Sequence, residues 1–451
     1  MQVSSPIAMS RDVAAQRGRT SFVALGLAVA LSATACTAGA GSGDASPSQS
    51  QPTTQSVAPS PSGPASGVVA GLAWPDGSPV VATTVDPAAA AEVTGTTEIG
   101  RFPIYGHPTI VPQSVNADGT VVVSQFVGGS GDRTWGGNDA IGVWDGTVGP
   151  WRSSVEVSGD GSRGVSDAVT DGTTLVWLES VGDTGTVGWW AIYAAPADGP
   201  GTVRQLASSD DLDFDDLSWD LGAGSLVVDD GRAYYGAPVS GPDGTAPYAL
   251  YSVSLKGGDL RLEVPRATDQ TLGADGIIVA RTEAEEKGTP PNSLSTATSL
   301  DLVAPGKDPR TLITFERGPG ASTFTQMQAA GSHVVVSNEQ SLVVLDPAGR
   351  SALRVVAPAA GSLGSVGACD DRVIWTFRGP DIDGEPQFDV AEWFILTPST
   401  GEVVRRTAPS TGGPVMCAGD VVMLAESDEE ADPGSMAVVL RVPSTDATSS
   451  S

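Results

Sequence analysis

The chain has 451 residues and 40% hydrophobic content, which suits one large β domain or two to three ordinary domains. Its net charge of −29 excludes a general nucleic-acid-binding surface, because such a surface must neutralise phosphates. The only two histidines, His107 and His333, are far apart in sequence, which argues against a histidine-based metal site.

Residues 1–35 form an export signal in this interpretation. Three arginines precede the apolar run 21–35, which is shorter than the roughly 20 residues needed to span a bilayer. The segment Ala33-Thr34-Ala35-Cys36 resembles the lipobox of bacterial lipoproteins. That resemblance implies that Cys36 is lipidated and becomes the mature N-terminus. The alternative is an ordinary cleavable signal with an incidental cysteine.

Residues 36–67 are predicted to be a disordered tether, because they are nearly all Ser, Pro, Thr, Gln, Gly and Ala and cannot bury a core. A lipid-anchored domain needs such a spacer to stand clear of the membrane. The chain is therefore expected outside the cytoplasm, held to the cell membrane by its lipid.

Residues 68–443 carry a repeat of about 50 residues, which favours a propeller of β-sheets. Each copy has an apolar strand, a tight turn such as Asp118-Gly119, and a β-branched strand, which is a strong hairpin signal. The copies lie at Val115–Val123, Ala168–Trp177, Leu226–Tyr235, Ala274–Val279, Ala330–Val336, Cys369–Trp375 and Cys417–Met423.

A third and a fourth strand follow each hairpin, as in 341–345 and 353–356. The sequence therefore predicts an all-β, seven-bladed β-propeller of four-stranded antiparallel blades. The last copy has three strands, and Thr96–Phe102 would supply the fourth, so that pairing of the N- and C-terminal strands closes the ring. An eight-bladed ring that uses 68–85 is the alternative. Residues 444–451 are predicted to be a disordered tail.

The segments 342–349 and 394–401 resemble propellers of the TolB-like and quinoprotein-like groups, without the Trp-Asp signature of WD40 blades. This WD40-like resemblance covers roughly 96–443. It implies the fold and a role as a bacterial envelope binding or assembly factor, and it brings no matched functional residue.

No catalytic motif and no cofactor motif is found in the sequence. The acidic stretches that contain Asp381 and Asp383, and 210–216, offer oxygen ligands for Ca²⁺, but neither has EF-hand spacing. Solvated acidic loops are the preferred interpretation, with no cofactor.

Long connections are confined to one face of the predicted propeller, which points to a binding face. Three functions remain open: a non-catalytic module that binds an envelope protein or glycan, an enzyme acting on carbohydrate or peptide through funnel carboxylates, and a structural lipoprotein. The first is favoured. The candidate binding residues are Arg133, Trp135, Trp189, Trp190, Asp381 and Asp383. The alternative for the tryptophan pair is the start of a third strand, with one ring in the core.

Cys369 and Cys417 are predicted to form a disulfide. They occupy the same place in consecutive repeats, and export would permit oxidation. Two buried free thiols are the alternative.

Overall fold

The computed structural model describes residues 65–104, 109–126, 140–144, 152–156, 163–181, 190–198, 201–212, 226–238, 248–282, 294–304, 306–358, 361–378, 392–408, 413–427 and 435–443. Within these ranges the regular structure is β-strand apart from three short 3-10 turns, at Pro87–Ala89, Ser209–Asp211 and Leu294–Thr296. The prediction of an all-β fold is confirmed. No helix in these ranges has the length and apolarity needed to cross a membrane.

The strands are numbered in chain order. The N-terminal strands are β1 (Ser66–Ala73), β2 (Pro79–Thr84), β3 (Ala91–Glu92) and β4 (Thr97–Pro103). Sheet 1 follows with β5 (Thr109–Val115), β6 (Val121–Phe126), β7 (Ala140–Trp144) and β8 (Arg152–Glu156). Sheet 2 has β9 (Arg163–Thr170), β10 (Thr174–Val181), β11 (Trp190–Pro196) and β12 (Arg204–Ser208). Sheet 3 has β13 (Val227–Asp229), β14 (Arg232–Pro238), β15 (Tyr248–Ser254) and β16 (Arg261–Val264).

The remaining sheets follow the same order. Sheet 4 has β17 (Ala267–Gly273), β18 (Gly276–Thr282), β19 (Ala297–Val303) and β20 (Arg310–Phe315). Sheet 5 has β21 (Gln326–Ala330), β22 (His333–Ser337), β23 (Ser341–Asp346) and β24 (Ser351–Val356). Sheet 6 has β25 (Ser362–Cys369), β26 (Arg372–Arg378), β27 (Glu392–Thr397) and β28 (Glu402–Thr407). The last strands are β29 (Met416–Ala418), β30 (Val421–Ser427) and β31 (Ser435–Arg441).

The last sheet joins the two ends of the described chain. β31 pairs antiparallel with β4, and Val439 lies opposite Gly100 in the register. We call β29, β30, β31 and β4 the seam sheet. The prediction that 96–102 supplies a fourth strand to the last repeat is confirmed by this pairing.

The strands within 68–85, which offered an eighth blade, have a different role. β1 and β2 form a hairpin whose β1 pairs with β20 and whose β2 runs parallel to β24. The hairpin thereby joins sheets 4 and 5 at their outer strands into one ten-stranded sheet. β3 then pairs with β28 at the outer edge of sheet 6. We call residues 65–96 the rim segment, and its first strand begins at Ser66.

The core is divided among seven apolar clusters, each of which lies between two sheets that are consecutive along the chain or at its seam. One cluster packs Trp190 of sheet 2 against Tyr235 of sheet 3. Another packs Phe102 and Met423 of the seam sheet against Val123 of sheet 1. Alternating strand residues point into neighbouring clusters, because successive side chains leave opposite faces of a strand.

Candidate binding surface

Because neighbouring strands in each sheet are antiparallel, the connections between them leave at two opposite sides of the sheet, where the strands end. The connection from the first to the second strand and that from the third to the fourth leave at one edge, which we call the short-turn edge. The connection from the second to the third strand leaves at the opposite edge, which we call the long-connection edge. Its connections occupy 127–139, 182–189, 239–247, 283–296, 379–391, 428–434 and the short 338–340.

Side-chain hydrogen bonds hold the turns of the short-turn edge. Asp118 accepts a bond of 2.9 Å from the amide of Thr120, and Asp171 accepts one of 2.8 Å from that of Thr173. Gly119 has a φ of 97°, a conformation that favours glycine in this turn.

The first hairpins of neighbouring sheets also touch each other at this edge. The amide of Ala274 donates to the carbonyl of Gly331 at 2.9 Å, and the amide of Gly419 donates to the Asp370 carboxylate. A Cβ atom at Gly331 would lie 2.8 Å from the carbonyl oxygen of Asp370, so a larger residue there would force the backbones apart. The short-turn edge is a packed surface.

Five of the six candidate binding residues lie outside the described residues, namely Arg133, Trp135, Trp189, Asp381 and Asp383. Cys36 lies outside them as well. Their assignment stays a prediction.

Trp190 is described, and it is not a surface residue. It is the first residue of β11, it is 2% exposed, and its ring packs edge-on against Tyr235 with the centroids 5.2 Å apart. The binding assignment of Trp190 is therefore wrong, and the alternative of a strand start with its ring in the core is correct. The apolar run Trp190–Ala195 in the sequence carries the signal for a buried strand.

Two carboxylates on first strands carry raised pKa values. Burial raises the pKa of Asp167 on β9 to about 6, against the lowering effect of its bonds from the amides of Leu226 and Ala168. Burial likewise raises the pKa of Asp269 on β17 to about 6, against a bond from the amide of Leu294. These two groups were not singled out from the sequence, where carboxylates are abundant.

Other polar side chains on first strands are engaged in bonds between sheets. Gln328 on β21 donates to the carbonyl of Val366 in sheet 6 at 2.8 Å. Ser365 on β25 donates to the carbonyl of Gly413, just before β29, at 2.7 Å. These side chains donate hydrogen bonds to backbone carbonyls of the next sheet, and their role is therefore structural.

Cys369 and Cys417 lie at disulfide distance, with Cα atoms 5.6 Å apart. The prediction that these two residues come together is confirmed. His333 is half-buried at the start of β22, with Nδ1 3.3 Å from the carbonyl oxygen of Ala330. Among the described residues, no group of three or more His, Cys, Asp or Glu is arranged to hold a metal ion.

Solved structures similar to this chain are β-propeller and WD40-like proteins. Puromycin hydrolase matches with 14% identity over 78% of this chain and 54% of its own, with a TM-score of 0.43, so the chain spans about half its length. The propeller domain of the trilobed protease from Pyrococcus furiosus matches with 10% identity over 73% of this chain and 91% of its own, with a TM-score of 0.44. The Pan2 WD40 domain of Neurospora crassa matches with 9% identity over 62% of this chain and 89% of its own, with a TM-score of 0.30.

No protein-family model and no curated protein sequence matches the chain. The similar solved structures include a hydrolase, a protease domain and a WD40 domain, and none of them carries a function over to this chain.

Proposed function

We propose that sheets 1–6 and the seam sheet are the seven blades of a closed propeller. The seven apolar clusters support this, since one lies at each junction, including that between the seam sheet and sheet 1. Each first strand contacts the next around the series, and β29 contacts β5. The hairpin β1–β2 lies on the outer edges of sheets 4 and 5, which argues against an eighth blade.

The propeller acts as a non-catalytic binding or scaffolding module that contacts an envelope protein or glycan through its long-connection edge. One observation carries this proposal: first-to-second strand turns have two to five residues and third-to-fourth connections four to seven, whereas second-to-third connections have seven to fourteen apart from 338–340. Several first hairpins at the short-turn edge are also capped by carboxylates and bonded to one another. Binding residues commonly lie on long loops that a rigid scaffold positions. The anchor is a lipid on Cys36, joined to the blades by the predicted tether 36–67, of which the last two residues belong to β1.

Co-sedimentation with an isolated bacterial envelope fraction tests the binding proposal. Replacing Arg133 and Trp135 with Ala removes two side chains of the types that dominate interfaces. We expect the apparent affinity to fall at least ~10-fold. Prior digestion of the envelope with a protease or with glycan hydrolases tells a protein partner from a glycan.

The matched control replaces Lys256 and Lys307, which lie in third-to-fourth strand turns of the short-turn edge, with Ala. The control should sediment like the wild type. Loss of binding in the control but not in the Arg133/Trp135 variant would place the binding surface at the other edge.

A second candidate is an acid–base hydrolase acting on carbohydrate or peptide, favoured by the pKa values of about 6 at Asp167 and Asp269. Its test is turnover of chromogenic glycosides and peptides. Activity that disappears in both Asp167→Asn and Asp269→Asn would support it over the binding module. Activity that survives both changes, or no activity in the wild type, removes it.

A further inference from the structure

One corner of the seam sheet gathers several contacts between the last two sheets. Cys369 ends β25, the first strand of sheet 6, and Cys417 is the middle residue of β29, the first strand of the seam sheet. The Asp370 carboxylate accepts from the amide of Gly419 beside the cysteine pair. The corner therefore fastens the first strand of one sheet to the first strand of the next.

The same corner also holds the C-terminal end of the described chain. Arg372, which is 9% exposed, donates through its guanidinium to the carbonyl of Val442 at 2.7 Å. The amide of Val442 in turn donates to the carbonyl of Asp420 at 2.8 Å. Arg441 pairs with the Asp420 carboxylate at 2.7 Å. The C-terminal end of β31 is thus tied to the hairpin that carries Cys417.

β29 has little burial of its own to hold it in the sheet. It has three residues, and none of their side chains is fully buried. β25, to which Cys417 connects it, has eight residues and pairs along β26. The side chains of β29 are only partly buried against the clusters on either side, so the covalent link to β25 adds a strong attachment to the ladder with β30.

The seam sheet is also the one described four-stranded sheet whose strands are not all consecutive in sequence. Its strands come from opposite ends of the described chain, so only the β31–β4 ladder holds these ends together within the sheet. Sheets 1, 2 and 3 are each built from four strands that are consecutive in sequence. Opening of the C-terminal strands leaves the rim segment on β20, β24 and β28.

We propose that Cys369 and Cys417 form a redox latch that holds the seam sheet closed when oxidised and lets it open locally when reduced. In the opening step a dithiol reductant supplies two electrons and two protons. The bond between the two Sγ atoms breaks, two thiols form, and the reductant becomes a disulfide. Cys417 is half-buried and gives the reductant its route to the bond.

The latch couples closure of the ring to an oxidising compartment. In a reducing compartment the three-residue β29 relies on the polar contacts of the corner, and the seam sheet opens before the other sheets. After oxidation, the chain between Cys369 and Cys417, 48 residues apart in sequence, becomes a closed loop, and β29 stays tied to β25 even when the rest of the seam sheet opens. This inference does not rest on the proposed binding function.

Hydrogen exchange of the full mature chain, with and without dithiothreitol, tests the latch. We expect amides of β30, β31 and β4 to exchange on the order of 100-fold faster after reduction, while those of sheet 3 change less than about threefold. The double variant Cys369→Ser/Cys417→Ser should match the reduced wild type and show no response to dithiothreitol.

Three results would overturn the latch. The first is unchanged exchange in the seam sheet after complete reduction, which would mean that the polar contacts suffice. The second is equal acceleration in sheet 3, which would mean that the bond stabilises the whole domain and no single sheet. The third is two reactive thiols from Cys369 and Cys417 in the unfolded, unreduced protein. Reduction of the wild type keeps the test decisive even if the double variant fails to fold.

Discussion

Two single residues, Asp167 and Asp269, make the stability of the folded protein depend on pH. Burial raises both pKa values from 3.8 to about 6, so the folded state binds these protons more tightly than the unfolded state does. Stability from these groups is therefore fully present below about pH 4 and is lost as the pH rises toward 6. This direction is opposite to that of an ordinary surface aspartate with an ion-pair partner.

Asp167→Asn should remove the part of this pH dependence that comes from Asp167. Between pH 4.5 and 6.5 the wild type should lose about 2 kcal/mol of free energy of unfolding that the variant keeps, which is most of the total for a shift of this size. Urea denaturation at the two pH values measures the difference. The proton at Asp167 would be irrelevant to stability if the gap between wild type and variant were the same at both pH values.

Asp171→Asn is the matched control, four residues along the same strand and turn. Although burial raises its pKa, bonds from the amides of Thr174 and Thr173 outweigh that effect, and the pKa of Asp171 is lowered. Its stability contribution is present above the unfolded pKa and is lost only at more acidic pH. The control should therefore leave the slope between pH 4.5 and 6.5 as it is in the wild type.

The neighbours of a single residue could be predicted from the sequence only where its position in the repeat determines them. Cys369 and Cys417 were predictable as a pair, because equivalent places in consecutive repeats become neighbours. Trp190 was assigned to a surface because tryptophan is common at interfaces, yet its burial depends on Tyr235 in another sheet. Asp167 could not be chosen from the sequence, since desolvation comes from contacts distant in sequence.

At the scale of elements, the position of the rim segment is the main feature that the sequence did not predict. The strands within 68–85 were recognisable from their composition. Their partners β20 and β24 lie hundreds of residues away, and nothing local records which edges they cover. Covering those outer strands also removes two open sheet edges, which otherwise favour aggregation.

Val80→Ala should show that the hairpin β1–β2 is part of the core. Val80 is 0% exposed and belongs to the apolar cluster between sheets 4 and 5. Loss of two buried carbon atoms should lower the free energy of unfolding by about 1–3 kcal/mol. Chemical denaturation of the mature protein, followed by tryptophan fluorescence, gives the value.

The neighbouring residue Val81 provides the control for that change. Val81 is 50% exposed on the opposite face of the same strand. Val81→Ala should stay within about 0.5 kcal/mol of the wild type, as expected for an exposed position. Equal effects of the two changes would show that the hairpin does not pack as a core element.

At the scale of the whole molecule, the repeat made the strand order predictable. Seven hairpins of similar length and a displaced N-terminal strand led to the pairing of β4 with β31, because an unpaired strand at each end would leave open edges. The binding surface was less accessible to this reasoning. A repeat specifies the strands that copies share, whereas the long connections differ from copy to copy.

Cys36→Ala tests where the whole molecule resides. The lipid on Cys36 is the proposed membrane anchor, and each buried CH₂ of a lipid chain contributes about 0.8 kcal/mol to membrane binding. The variant should therefore leave the membrane fraction and appear in the medium, or accumulate as an unprocessed precursor. Incorporation of labelled palmitate, expected in the wild type, should be absent in the variant.

The control variant Cys369→Ser/Cys417→Ser retains Cys36 and should still fractionate with the membrane. If Cys36→Ala is processed to the mature size and still remains in the membrane fraction to the same extent as the wild type, the lipid anchor is wrong.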